Sequence, residues 1–214
     1  MKSTTPRVKP RLRGVSHGIA AVVALVAALT LVILAPPGLP TWAVAIYGIS
    51  LVSLFTISSV YHWINWPPTT RARLRRIDHS AIFLLIAGTY TPITLLVLAP
   101  EPARKVMWLV WIGAGLGVIK ALLPYKGPRA ITAGLYVLLG WTIMLEWSAI
   151  KVGLGGEQLA LMFAGGGLYT LGAVAYALKW PDPAPAVFGY HEVFHVLVIG
   201  AAACHFAMVA RLVL

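Results

Sequence analysis

Apolar residues come in seven long runs along the chain, each closed by proline or glycine. The runs extend from about Val15 to Ala35, Thr41 to Ile64, Ile77 to Leu98, Val106 to Leu123, Ile131 to Ile150, Gln158 to Leu178 and Phe188 to Leu214. Each is about 20 residues long, the length a helix needs to cross the hydrocarbon core of a bilayer. Pro36-Pro37-Gly38, Pro67-Pro68, Pro100, Pro124, the Gly153–Gly156 turn and Pro181-Asp182-Pro183 punctuate the gaps, as helix ends require. The pattern predicts an all-α polytopic membrane protein. A basic tail, residues 1–14, precedes a seven-transmembrane-helix bundle, residues 15–214. The loops are short, so consecutive helices are expected to be antiparallel neighbours. The first run follows a basic stretch, as a signal peptide does. It is longer than a usual signal core and lacks a convincing small-residue cleavage site, so it reads as an uncleaved span.

Composition narrows the function classes. Of 214 residues, 59% are hydrophobic and 11% charged, against about 25% charged in a soluble domain. Such a chain cannot cover a globular surface with polar groups, which excludes a soluble enzyme and a nucleic-acid binder. The single Cys204 cannot form an intrachain bridge, which excludes a disulfide scaffold.

The net charge of +11 follows from topology. With seven spans, the tail and the 2–3, 4–5 and 6–7 loops share one side. That side holds Lys2, Arg7, Lys9, Arg11, Arg13, Arg71, Arg73, Arg75, Arg76, Lys120, Lys126, Arg129 and Lys179. Arg104, Lys105, Lys151 and Arg211 fall on the other. The positive-inside rule then puts the amino terminus in the cytoplasm and the carboxyl terminus outside, in the cell's inner (plasma) membrane. The basic cluster Arg71–Arg76 suits anionic lipid headgroups rather than nucleic acid.

Ionisable residues at the spans carry the chemistry, because a histidine in a membrane helix is costly unless paired, ligated or at an aqueous end. His191 and His195 are spaced i, i+4, which puts both imidazoles on one helix face. That geometry suits two ligands of a tetrahedral zinc. His62, at the same depth on another helix, is the third ligand expected. Ser58 shares its face, one turn earlier, and Asp78 lies at the same level. Three His plus a water is the pattern of a catalytic zinc site. His191-Glu192-Val193-Phe194-His195 also matches H-E-x-x-H, in which the glutamate is a general base. Glu192 and Asp78 are therefore both candidate bases, Asp78 the stronger of the two, because Glu192 reads more readily as an interfacial carboxylate facing a basic loop. His205 lies ten residues beyond His195, about 15 Å along the helix, and belongs elsewhere. His17 opens the first helix on the same side as the cluster, and neither it nor His79 is given a role. Gly113 and Gly117 form a small-residue packing face, as do Gly165–Gly167 with Gly172. Pro92 is expected to kink the third helix, and Glu146 sits in the fifth, near its outer end.

Ser58-Ser59-Val60-Tyr61-His62, then Leu74 through Pro92 with Asp78-His79 near its start, then Gly189-Tyr190-His191-Glu192-Val193-Phe194-His195 together resemble the hemolysin III family. The likeness covers nearly the whole chain, including Ser16-His17-Gly18 and Cys204-His205-Phe206. Those proteins are similar to the progestin and adipoQ receptors, within a superfamily that includes the alkaline ceramidases. The resemblance implies a cytoplasm-side zinc on His62, His191 and His195, with Asp78 holding the water of the site and Ser58 lining it. Acidic residues usually precede the first-helix His of this family; here Arg11-Leu12-Arg13 stand there.

The resemblance implies a zinc-dependent hydrolase of lipid amides or esters, with membrane lipids as partners and a lipid substrate or free fatty acid as ligand. The alternative is a non-enzymatic protein, pore-forming or lipid-sensing, with a structural zinc. The topology is testable with tags: one on the amino terminus is expected to be protected from external reagents, and one after Leu214 accessible. Both ends on one side would contradict seven spans.

Overall fold

A computed structural model describes residues 9–124 and 127–214; Lys2, Arg7 and Lys126, with most of the 1–14 tail, lie outside the described residues. The elements are α1 (Val15–Leu34), α2 (Leu39–Trp63), α3 (Pro68–Val97), α4 (Pro100–Leu122), α5 (Arg129–Gly140), α6 (Trp147–Gly153), α7 (Gly156–Leu178) and α8 (Tyr190–Val213). A 3₁₀ turn, Thr142–Glu146, joins α5 to α6, and the three pieces make the fifth of seven membrane-length spans.

The helices follow one another around a bundle: α1 packs on α2, α2 on α3, α3 on α4, α5 on α7, and α7 on α8, which returns to α1. Helix α3 also touches α5 and α8 and is the most buried span. Small residues permit the closest approaches. A Cβ at Gly88 of α3 would meet the Ser50 side chain of α2 at 2.1 Å, and one at Gly117 of α4 would meet the Phe83 ring at 2.4 Å. Gly165 and Gly172 of α7 face His205 and Phe194 of α8 in the same way. Small-residue seams let membrane helices pack closely where the hydrophobic effect does not drive them together.

Two helices begin earlier than the apolar runs indicate. Helix α3 starts at Pro68 and α4 at Pro100, each with proline in its first turn, where its missing N–H costs nothing. The added turns of α3 carry Arg71, Arg73, Arg75 and Arg76. Hydropathy registers only the part of a helix that faces lipid, so these polar turns escaped the pattern. Helix α3 continues through Pro92 to Val97. The hydroxyls of Thr89, Thr91 and Thr94 donate back to the carbonyls of Leu85, Ala87 and Tyr90, within their own helix.

The fifth span is broken where a single helix was expected. At the break, the Tyr90 hydroxyl of α3 accepts the Ile143 N–H at 2.8 Å and donates to the Gly140 carbonyl at 2.7 Å. The Thr142 hydroxyl donates to the Leu139 carbonyl at 2.8 Å. Irregular backbone at membrane depth is tolerated only where the protein supplies partners, and Tyr90 supplies them here. Near the break, Lys105 of α4 donates to Glu146 at 2.7 Å.

Tyr90→Phe keeps the ring and removes those partners. Leaving a buried donor or acceptor unpaired costs about 1–3 kcal/mol, so the variant is expected to melt at lower temperature in detergent. An unchanged melting temperature would mean that the break holds without Tyr90.

Candidate metal centre

One end of the bundle gathers the ends of four helices. His62 lies in the last turn of α2, with Ser58 one turn earlier. Asp78 sits in the third turn of α3. His191 and His195 occupy the first two turns of α8, and His17 the first turn of α1. All six side chains are buried.

The segment before α1 ties these ends together. Gly14 has φ +85°, a left-handed conformation that favours glycine. A Cβ there would lie 2.7 Å from the Trp63 nitrogen and 3.1 Å from the His62 Cβ. The start of α1 thus rests directly on the backbone that carries His62. Ser59 donates to the Gly14 carbonyl at 3.2 Å, and Lys9 donates to Trp63 O at 2.7 Å. On the other side, the Arg11 and Leu12 N–H groups reach Ala186 O and Val187 O at 3.2 and 3.3 Å, just before α8.

Three imidazoles converge. His62, His191 and His195 each offer a ligand atom, all within 4.8 Å of one another, so the trio can hold a metal ion. The Nε2 atoms of His62 and His191 are 3.1 Å apart. Asp78 Oδ2 lies 3.9 Å from His62 Nε2, and Ser58 and Asp78 both line the cavity there. His17 stacks face to face on His195, with ring centroids 3.7 Å apart and planes 7° from parallel. His195 Nδ1 and both nitrogens of His17 have no hydrogen-bond partner among the described residues. Buried polar atoms are rarely left so; here they lie at or against the trio.

Glu192 points elsewhere. It is only 2% exposed. Its carboxylate accepts from the Arg13 guanidinium and, at 2.9 Å, from the Gly189 N–H that caps α8. It does not line the cavity beside the histidines. The structure brings Ser58, His62, Asp78, His191 and His195 together and sets Glu192 outside, as a strut between α8 and the pre-α1 segment. The H-E-x-x-H spacing could not reveal this, because the partner, Arg13, is 179 residues away. His17 was legible as a same-side histidine, but its stack on His195 depends on how α1 meets α8.

From the cluster a largely apolar cavity runs inward between α3, α5, α7 and α8. Leu85, Ile86, Tyr136, Val137, Phe194 and Val198 line it, and it reaches Trp141 and His205. His205 thus stands apart from the trio but at the far end of the same cavity, where it also contacts the Met162 carbonyl at 3.3 Å.

The family model described as "Haemolysin-III related" matches residues 6–206. The chain belongs to the haemolysin III family. It is 31% identical to Hemolysin-3 of Bacillus cereus over 100% of this chain and 96% of that protein. It is 28% identical to the human Monocyte to macrophage differentiation factor over 75% of this chain and 66% of that protein. It is 27% identical to the Adiponectin receptor protein of Drosophila melanogaster, with 75% of this chain and 40% of that protein covered. The matched span of the haemolysin III family contains every residue of the histidine cluster.

A metal on the trio is directly measurable. His62→Ala, His191→Ala and His195→Ala are each expected to lose most bound metal by elemental analysis of purified protein, and His205→Ala to retain it. Glu192→Gln perturbs only the support of the site, where changes cost about 10–100-fold in affinity, so measurable metal is expected to remain. Loss of metal in His205→Ala with retention in His62→Ala would remove α2 from the site.

Proposed function

We propose that this member of the haemolysin III family is a zinc-dependent hydrolase of lipid amides or esters, with its metal centre at the cytoplasmic face of the plasma membrane. One observation carries the reading: three imidazoles and a buried carboxylate meet at the head of an apolar cavity inside the bundle. Zinc suits the donor set. At Zn–N distances of 2.0–2.1 Å, tetrahedral ligands stand about 3.3 Å apart, and the 3.1 Å between the His62 and His191 nitrogens is close to that. Among the described residues no further His, Cys, Asp or Glu joins the trio, which leaves a coordination position open, as catalytic sites require. The orphaned His195 Nδ1 is consistent with an ion completing the site.

Bound zinc supplies Lewis acidity toward a carbonyl oxygen and makes water more acidic. The chain's own residues do the rest. Asp78 accepts a proton from the attacking water and returns it to the leaving nitrogen or oxygen. Ser58 orients the Asp78 carboxylate. The apolar walls hold an acyl chain and exclude water from it, which also makes a free fatty acid a fitting ligand. The basic end of the bundle meets the anionic cytoplasmic leaflet.

The printed name of the Bacillus relative, Hemolysin-3, supports a second reading. In it the protein permeabilises membranes or senses lipid, and the metal is structural.

Asp78→Asn separates them. General-base assistance is worth about 10²–10⁴-fold in rate, so the variant is expected to keep its metal and fold while losing turnover by that factor. Glu192→Gln is expected to retain turnover. The measurement is hydrolysis of ceramide, acyl amide and ester substrates in nanodiscs, with cellular lipid profiles alongside. If wild type hydrolyses none and neither variant alters the lipid profile, the hydrolase reading falls, and liposome leakage tests the second.

A further inference from the structure

The six carboxylates of the chain are unevenly spread. Glu101, Glu146 and Glu157 stand at the end away from the histidines, and each is paired, to Arg104, Lys105 and Arg211 respectively. Three serve the histidine end. Glu192 is taken by Arg13 and the Gly189 N–H. Asp182 accepts the Tyr190 N–H at 2.8 Å. Asp78 faces His62 inside the cavity.

Two cations beside the cavity are therefore held without a carboxylate. Arg129 Nη1 donates to the Tyr190 hydroxyl at 3.0 Å, and its guanidinium lies over the Tyr176 ring, 5.5 Å from the centroid. Lys120 Nζ donates to the Thr132 hydroxyl at 3.0 Å. Tyr176 and Thr132 both line the cavity, as does His79, next to Asp78 in sequence. Arg129 and Thr132 lie one turn apart on α5.

Topology alone does not call for this arrangement. The positive-inside rule asks for cations near headgroups in any orientation. Arg73 of α3, exposed as Arg129 is, meets that description and has no side-chain hydrogen bond among the described residues. Arg129 and Lys120 are instead fastened by neutral oxygens at the edge of the cavity, which orients their charge and leaves it uncompensated. Positive groups so fixed favour an anion that accepts several hydrogen bonds.

We infer that Arg129 and Lys120 form a subsite for the phosphate of a lipid headgroup, seated at the cavity edge while the acyl chain enters the cavity. Combined with the hydrolase reading, on which this clause rests, the substrate class is a phosphate-bearing acyl lipid rather than a neutral one.

Binding tests the subsite without reference to turnover. The full chain is reconstituted in nanodiscs containing equal phosphatidylglycerol and phosphatidylcholine, and lipids retained after detergent extraction are measured by native mass spectrometry. Wild type is expected to retain phosphatidylglycerol preferentially. Arg129→Gln and Lys120→Gln are each expected to lower that preference about fivefold, matching about 1 kcal/mol per basic residue near anionic lipid. Arg129→Lys keeps the charge and is expected to keep most of the preference. Arg73→Gln is expected to leave it unchanged. Loss in Arg73→Gln equal to that in Arg129→Gln would reduce the effect to general surface charge and overturn the subsite. So would full preference in the Arg129→Gln, Lys120→Gln double variant with its melting temperature intact. Complete displacement by excess inorganic phosphate would assign the pair to the free ion and overturn the lipid source. Because hydrolysis is not read, headgroup preference can stand where Asp78→Asn changes nothing, and turnover can stand where the preference fails.

Discussion

Lipid offers no hydrogen bonds, so every polar group inside the bundle must find its partner within the protein. That constraint shapes most of what the spans do. Threonine hydroxyls of α3 return to their own helix. Tyr90 reaches across to the broken backbone between α5 and α6. Glu192 is buried only because Arg13 and the Gly189 N–H share its charge. The buried side-chain atoms that remain without partners among the described residues are few: both nitrogens of His17, Nδ1 of His195 and of His205, and the Tyr47 hydroxyl. Four of those five atoms belong to histidines that line the cavity beside the trio.

The histidine trio depends on helix ends more than on helix centres. Helix α2 delivers His62 just before it stops, and α8 delivers His191 and His195 just after it starts. Their separation is governed by the segment before α1, which lies on the backbone of His62 through Gly14 and grips α8 through Arg13 and Glu192. An acidic residue next to two histidines invites a catalytic role. Here Glu192 bonds Arg13 and the Gly189 N–H, and Asp78 is the carboxylate that lines the cavity.

Charge is organised along the same axis. At the end away from the histidines, three acids meet three bases in local pairs. At the histidine end the bases outnumber the acids, and two of them are immobilised by neutral partners at the cavity edge. The histidine trio, its carboxylate and the two hydrogen-bonded cations thus lie at one end of the bundle, at the head of the apolar cavity.

Much of this was legible in the sequence. Seven apolar runs and their proline and glycine boundaries determined the number of spans, because a bilayer imposes a length and a composition on anything that crosses it. The i, i+4 spacing put His191 and His195 on one face, because helix geometry is local. The combination of motifs pointed to the haemolysin III family, whose model covers residues 6–206. Three things were decided only in three dimensions. The fifth span breaks because Tyr90, some fifty residues away, can satisfy its backbone. Glu192 turns from the histidine trio because Arg13, at the opposite end of the chain, reaches it. His17 joins the site because α1 packs against α8. Each depends on a contact between residues far apart in sequence, and periodicity and spacing along the chain carry no information about which distant side chains will meet.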